Sequence, residues 1–195
     1  MVGSSLFALG SAPGLASLTG VGFANLCYFV GAWFFTGAGL VQLLRSGSVA
    51  DLRASTPGSA VRAEWFSAAT QSVGTILFNV STTGALVAHT IAGDRHLVWT
   101  PDAGGSIAFL VSGALAFVGY ARSSGRGLDL RDRDWWSVMI NWIGCVAFGV
   151  SAVGAFVTRG GVTADAVLAT AGTFVGAICF FLASAVVLPL RAPRR

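Results

Sequence analysis

The chain contains no lysine, and charged residues of every kind are scarce. They make up 10% of its 195 residues, whereas a soluble domain usually carries about a quarter. Apolar residues account for 54%, and the mean hydropathy is +0.75. The shortage of charge therefore excludes an ordinary soluble domain and indicates a protein whose solvent is the lipid bilayer.

Histidine, cysteine and the motifs of catalysis are equally scarce. The two histidines, His89 and His96, lie with Asp94 and Asp102 at a spacing that matches no compact metal-site signature. The three cysteines lie far apart in apolar stretches, where cysteine usually acts as a small hydrophobic side chain; they are Cys27, Cys145 and Cys179. No Ser/His/Asp arrangement, phosphate-binding loop or HExxH motif is present. We therefore predict no enzyme activity, no cofactor and no metal.

Five apolar stretches are long enough to cross a bilayer, which takes roughly 20 helical residues. They cover residues 22–44, 65–91, 102–121, 135–157 and 165–189, and no Asp, Glu or Arg lies deep in any of them. The sequence Thr100-Pro101-Asp102 is typical of a helix start and opens the third stretch. His89 ends the second as an interfacial residue, with a pH-sensitive role as the alternative. Residues 1–20 carry no charge and predict a disordered lead or a short interfacial turn.

The arginines alternate between the two sides of these spans. The first loop, the third loop and the C-terminal tail hold ten of them, whereas the second and fourth loops hold only Arg95 and Arg159. The positive-inside rule places the arginine-rich side in the cytoplasm. We therefore predict a multi-pass protein of a bacterial inner membrane, with its N-terminus outside and its C-terminus inside.

One predicted span is repeated 70 residues later. Residues 65–87 align without a gap on 135–157, with nine identities in 23 positions. At about 100° per residue, most shared residues fall on one narrow face of small side chains and one phenylalanine, which suits close packing in lipid. The shared Trp65 and Trp135 fall on the opposite side and are predicted to be outward-facing anchors. The face includes Gly74, Phe78 and Ser81 in the first copy, and Gly144, Phe148 and Ser151 in the second.

The phrase of this face is a glycine, a phenylalanine four residues on and a small residue three further. It returns as Gly105-Phe109-Ser112 in the third span and Gly176-Phe180-Ala183 in the fifth, with a degraded copy, Asn25-Phe29-Ala32, in the first. Residues 65–121 and 135–189 are therefore predicted to be two parallel hairpin repeats related about an axis along the membrane normal. The first span is an extra N-terminal helix.

Two of these segments, residues 99–112 and 141–151, resemble the YrhK-like membrane proteins of bacteria, which are small proteins built from transmembrane hairpins with a glycine-and-phenylalanine phrase. The resemblance covers roughly residues 65–188. It implies a bacterial inner-membrane protein without an established activity, so no functional residue is assigned from it.

The second span has a further polar stripe that its repeat lacks. A mid-membrane asparagine is unfavourable without a partner, so this stripe is predicted to touch protein or water. We predict that Asn79 bonds to the first span or across an oligomer interface; a lining for a small solute or water path is the alternative. The candidate polar contacts are Ser72, Thr75, Asn79, Thr82 and Thr83, with Gln71 and Asn141 on the shared face.

The sequence thus predicts an all-α polytopic bundle of five transmembrane helices, forming one membrane domain over residues 1–195. Its predicted role is a non-enzymatic scaffold that lies in the lipid bilayer and binds itself or another membrane protein. The alternative is a small-solute transporter or channel with a polar lining on span two. Nucleic acid is excluded as a partner because the arginines lie in separate loops instead of on one basic surface.

Overall fold

The computed structural model describes residues 1–47, 60–125 and 128–188, and these parts of the chain are mainly helical. The predicted all-helical class is confirmed for them, since the one β feature is an isolated bridge between Val157 and Thr163. The helices are α1 (Val2–Gly10), α2 (Leu15–Thr19), α3 (Val21–Arg45), α4 (Ala60–Val87), α5 (Ile91–Gly93), a π-helix (Asp94–Trp99), α6 (Thr100–Ser124), α7 (Arg133–Gly154) and α8 (Ala166–Val186).

Four helical segments are long and apolar enough to cross a membrane: Val21–Arg45, Ile91–Arg122, Arg133–Gly154 and Ala166–Val186. The 28-residue α4 covers the predicted second span but is not among them. Its serine, threonine and asparagine residues reduce its hydropathy. Many large apolar side chains on the outside of the bundle are exposed, which suits contact with lipid.

The third predicted span begins earlier than its sequence indicates. The helix starts at Ile91, where the Thr90 hydroxyl caps it by accepting a bond from the Gly93 amide at 3.0 Å. It continues through the π-helix into α6. The α-helix begins at Thr100 with Pro101 in its first turn, as predicted, but this point is a junction inside a longer helical segment and not the start of the span. The π-helix relaxes the hydrogen-bond ladder just before Pro101, which contributes no amide hydrogen. Asp102 consequently lies about 16 Å along the helix from its start.

The prediction of a disordered lead or turn for residues 1–20 is also wrong. The short helix α1 lies in the bundle, and its Phe7 side chain is buried. Gly3 and Gly10 allow this approach, because a Cβ on Gly3 would lie 2.8 Å from the Gly31 carbonyl oxygen of α3. Because this segment carries no charged side chain, its burial has only a small desolvation cost.

Three helical hairpins form a closed ring. The pairs α1–α3, α4–α6 and α7–α8 are the hairpins, and α3–α4, α6–α7 and α8–α1 are the contacts between them. The ring brings together helices that are far apart in the chain. It gives each of the six helices a neighbour on both flanks.

Each hairpin contains the same reciprocal contact between glycine and phenylalanine. In α4–α6, a Cβ on Gly74 would lie 2.6 Å from the Phe109 ring, and one on Gly105 would lie 3.2 Å from the Phe78 ring. The hairpin α7–α8 makes the equivalent contacts through Gly144 with Phe180 and Gly176 with Phe148. Because only glycine leaves room for the facing ring, the predicted phrase describes a real interlock between paired helices.

The first hairpin makes the same contact with residues that the sequence interpretation did not choose. Gly31 lies against Phe7, and Gly3 lies against Phe35. The predicted copy, Asn25-Phe29-Ala32, is therefore displaced from the actual position of the contact. The sequence did not indicate this contact because Gly3 and Phe7, which form its other half, lie in a segment that was not predicted to be helical.

Six phenylalanines from the three hairpins meet along the bundle axis. Their neighbouring ring centroids lie 5.0–6.5 Å apart, within the range of aromatic packing. Phe109 is the most buried of them, with 1% of its surface exposed. We call this group the phenylalanine cluster: Phe7, Phe35, Phe78, Phe109, Phe148 and Phe180.

Candidate functional site

A cavity opens at the end of the bundle that carries the connections 11–20, 88–90 and 155–165; we call it the upper vestibule. Its volume is about 480 Å³, within the range of small-molecule sites. Phe7, Phe78 and Phe148 of the phenylalanine cluster form its inner end, and the exposed Gly161 and Thr163 lie at its rim. The cavity is therefore an entrance that ends on aromatic rings.

Polar side chains from several helices line the upper vestibule. Asp94 and Asp102 supply two carboxylates, and neither forms an ion pair with an arginine in the described parts of the chain. Asn25 of α3 donates to the Ala85 carbonyl at 3.2 Å, which joins the first and second hairpins. Tyr28 lies beside it on the next helical turn. The vestibule thus combines negative charge with neutral hydrogen-bonding groups and aromatic rings.

Ser81 and its counterpart Ser151 both line this cavity but are bonded differently. The Ser151 hydroxyl donates to the Ala169 carbonyl at 2.6 Å and lies 2.8 Å from the Thr173 hydroxyl. The Ser81 side chain is 5% exposed, and its hydroxyl has no hydrogen-bond partner among the described residues. Ser81 therefore presents to the cavity a hydroxyl that has no donor or acceptor partner among the described residues.

The side wall of the upper vestibule is fixed by contacts between the π-helix and the end of α7. The Arg95 guanidinium donates through Nε to the Val157 carbonyl at 3.0 Å, and the Trp99 indole donates to the Ala152 carbonyl at 2.9 Å. The Trp99 ring also lies edge-on to Phe156, with centroids 4.9 Å apart. The Arg95 guanidinium thus binds a backbone carbonyl of the cavity wall and forms no ion pair with Asp102 in the described structure.

A second cavity, the lower vestibule, lies at the opposite end of the bundle. Its volume is about 300 Å³, and residues of five helical segments or their ends line it. Glu64 and Asp134 provide two carboxylates there, beside Gln42 and the hydroxyls of Ser67 and Ser137. In α4, Gly74 and Phe78 lie between Ser67 of the lower vestibule and Ser81 of the upper one. The phenylalanine cluster consequently separates the two cavities.

The shared face of the repeated helices therefore has three parts along its length. Its middle, with Gly74 and Gly144, lies against phenylalanine rings of the paired helices, whereas its two ends line the vestibules. The burial pattern of residues 71–86 is the same, position by position, as that of residues 141–156. Between α4 and α6, the Ser112 hydroxyl lies 2.9 Å from both the Ser67 carbonyl oxygen and Gln71 Oε1, and its single hydrogen is shared between them or donated to one. Polar groups thus continue from the packing face towards the lower vestibule.

The second polar stripe of α4 contacts α3 at Asn79. The Asn79 amide donates to the Thr36 hydroxyl and lies 3.5 Å from the Ala32 carbonyl oxygen, while Asn79 Oδ1 is buried without a partner. The other members of the stripe donate to carbonyls of their own helix, and only Thr82 also lines the upper vestibule. These members are Ser72, Thr75, Thr82 and Thr83.

Replacing Asn79 by leucine should lower the thermal stability of the protein in detergent more than replacing Asn141. Asn79 joins two helices, and a hydrogen bond between membrane helices contributes about 0.6–2 kcal/mol. The Asn141 amide meets only the Cys145 sulfur of its own helix, at 3.8 Å. Melting of both variants beside the wild type measures the difference, and equal shifts would contradict it.

The remaining candidate residues lie apart from the vestibules or serve packing. Neither histidine lines the upper vestibule, and no three His, Cys, Asp or Glu side chains converge in the described ranges. Trp135 is 5% exposed, so the prediction that it faces outward is wrong. Each helix of the ring has a neighbour on both flanks. The large Trp135 indole can therefore be covered by a neighbouring helix even though its Cα points away from the bundle axis. Of the three cysteines, Cys145 lies in the core and Cys27 is buried.

Several site residues escaped the sequence interpretation. Asp94 was predicted only as a possible metal ligand and Asp102 as a metal ligand or a helix-start acid, while Tyr28, Glu64 and Asp134 were given no site role. The tail arginines Arg191, Arg194 and Arg195, and Arg53 and Arg126 in the loops, lie outside the described residues.

Comparison of the chain with family models, with curated proteins and with solved structures finds no match.

Proposed function

We propose that this chain is an integral membrane protein that provides a gated pathway for a small cation. The observation that carries the proposal is the alignment of two carboxylate-lined vestibules on either side of the phenylalanine cluster. This reverses the order of the two functions predicted from the sequence, because it favours the transporter or channel over the scaffold.

The charge distribution supports a cation over an anion. Four of the eight carboxylates in the chain line the two vestibules: Asp94 and Asp102 above, Glu64 and Asp134 below. No arginine is among the residues that line either cavity in the described structure. Acidic side chains at the mouths of a pathway attract cations, whereas arginine or lysine side chains favour anions.

The phenylalanine cluster supports gating. An apolar constriction excludes water and with it hydrated ions, so passage requires the rings to separate. The reciprocal glycine contacts place one pair of rings in each hairpin, and a small rotation of one hairpin would move its pair away from the other four. The cluster is therefore the gate of the proposed pathway.

The membrane arrangement belongs to the same proposal. We place the upper vestibule outside the cell and the lower one in the cytoplasm of a bacterium, on the arginine distribution. We interpret α4 as a further span, since it runs in the ring between α3 and α6. The recurring contact between glycine and phenylalanine supports three copies of one hairpin unit, and this unit is the part that resembles the YrhK-like proteins.

Proteoliposomes test the pathway. We expect wild-type protein to pass a small monovalent cation such as K⁺ faster than chloride under an imposed membrane potential. Asp102→Asn should reduce the cation rate by about tenfold, because it removes the charge that attracts the ion before the gate, at a cost of the order of 1.4 kcal/mol. Asp129→Asn, which lies outside both vestibules, is the matched control. Cation flux equal to that of protein-free liposomes, in wild type and in gate variants alike, would overturn the proposal.

The scaffold that the sequence predicts stays a second prediction. Gly74 packs against Phe109 and the Asn79 amide nitrogen bonds to Thr36 within one chain, whereas Asn79 Oδ1 has no partner among the described residues. Chemical cross-linking in native membranes checks it, and recovery of one abundant heterologous partner would favour it over the pathway.

A further inference from the structure

We propose that the upper vestibule binds a small primary alkylammonium ion. In this site, Asp102 is the counter-ion, the Ser81 hydroxyl accepts one N–H bond, and the rings of Phe7, Phe78 and Phe148 contact the alkyl group. The inference deepens the proposed function and rests on it, because the site is the upper vestibule of the pathway.

Asp102 supplies a charge without a partner. It lies three helical turns inside the segment Ile91–Arg122, and no arginine forms an ion pair with it in the described structure. The nearby Arg95 is bonded to the Val157 carbonyl instead. A carboxylate at this depth is costly unless a cation or hydrogen-bond donors reach it. Because Asp102 lines the vestibule, a cation from solution can reach its carboxylate.

Ser81 supplies a second and independent indication of a ligand. A serine or threonine inside a helix commonly donates to the carbonyl of the preceding turn. Thr82 and Thr83 in the same helix do so, to the carbonyls of Phe78 and Asn79. The Ser81 hydroxyl makes no such bond, although its residue is 95% buried and lines the cavity. The hydroxyl oxygen is accessible from the cavity and has no partner among the described residues, so it can accept a hydrogen bond from a ligand N–H group there.

The lining favours an organic cation over a metal ion. Asp94 and Asp102 are eight residues apart, roughly 12 Å along the helix, which is too far for both to bind one small ion. Calcium takes six to eight oxygen ligands, and the described residues hold no converging group of metal-ligating side chains. Aromatic faces, however, attract ammonium groups and cover alkyl chains. Phe7, Phe78 and Phe148 provide such faces at the closed end of the cavity.

Calorimetric titration of the purified protein in nanodiscs tests the site. The probes are n-butylammonium, tetramethylammonium, which has no N–H group, and n-butanol, which has no charge. We expect n-butylammonium to bind most tightly. Asp102→Asn should weaken the binding of both cations by at least about tenfold, a typical effect of losing a charge-assisted bond. Ser81→Ala should weaken n-butylammonium alone, and Asp129→Asn should leave all affinities unchanged.

The outcomes separate this inference from the proposed pathway. Equal binding of n-butanol and n-butylammonium, or unchanged affinity in folded Asp102→Asn protein, would overturn the ammonium site. If K⁺ flux still depended on Asp102 in that case, the pathway would stand without it. Binding of n-butylammonium as expected, with no cation flux through any variant, would instead support the site and overturn the pathway. Melting curves in the same nanodiscs establish that each variant is folded.

Discussion

Replacing Phe78 and Phe148 together by alanine should raise the cation flux through proteoliposomes by at least about tenfold. Both rings lie in the phenylalanine cluster and form the inner end of the upper vestibule. Their ring centroids lie 5.7 Å apart, so removing both extends the upper vestibule to the rings of Phe109 and Phe180 and thins the apolar barrier between the two cavities. Water that enters this space lowers the barrier that an apolar constriction presents to an ion. The measurement is potential-driven K⁺ uptake relative to wild type, at equal protein content.

The stability of this variant needs its own control. Each large-to-small change in a packed core costs about 3–5 kcal/mol, so the double variant is expected to melt at a lower temperature. Phe78→Asn retains more volume and introduces a polar group at the same level, and it should also increase flux. Phe29→Ala is the matched control, because Phe29 packs against Trp33 outside the cluster. Unchanged flux in folded double variant and in Phe78→Asn would show that the cluster is not the gate.

Replacing Gly84 by alanine should lower the free energy of unfolding by about 2 kcal/mol, the effect of overpacking a tight interior contact. A Cβ at this position would overlap the Leu97 carbonyl oxygen and lie 2.8 Å from its carbonyl carbon. Both are backbone atoms of the π-helix, so relief requires a helix to shift. The same shift would disturb the wall of the upper vestibule. Thermal melting in detergent, with and without n-butylammonium, measures both consequences.

Gly37→Ala is the matched control for this substitution. Gly37 is a helical glycine of α3 for which a Cβ would meet nothing within 4 Å. Alanine is favoured over glycine inside a helix by roughly 0.5–1 kcal/mol, so this variant should be slightly more stable than wild type. The two substitutions are chemically identical and are expected to have opposite signs. Equal effects would mean that the close approach at Gly84 does not contribute to stability.

The helix pairing could be predicted from the sequence because it depends on spacing. A glycine followed four residues later by phenylalanine lies on one helix face, and the phrase indicated a close contact in four helices. The first hairpin was missed because α1 has only nine residues and is too short to register as a span. Its phrase, Gly3-Phe7-Gly10, contains the same signal and would have been found by searching for the phrase alone.

The vestibules could not be predicted in the same way. Each is lined by helices that meet only in the closed ring, and the sequence does not indicate which of them are neighbours. Asp102 was assigned to a helix start because Pro101 precedes it, and proline is most common in the first turn. The structure places this proline after a π-helix. For Asn79, the sequence indicated the need for a hydrogen-bond partner. It did not identify Thr36 as that partner, because this depends on which helix lies beside α4.

The π-helix has a consequence for how the two upper carboxylates are directed. A π-helix has a wider turn than an α-helix, so it changes the rotational register between the residues before and after it. Asp94 begins this segment and Asp102 follows it, and both line the same cavity. Loss of one residue between them would rotate one carboxylate by about 100° relative to the other. The relative direction of the two carboxylates therefore depends on the number of residues in this segment more than on their identities.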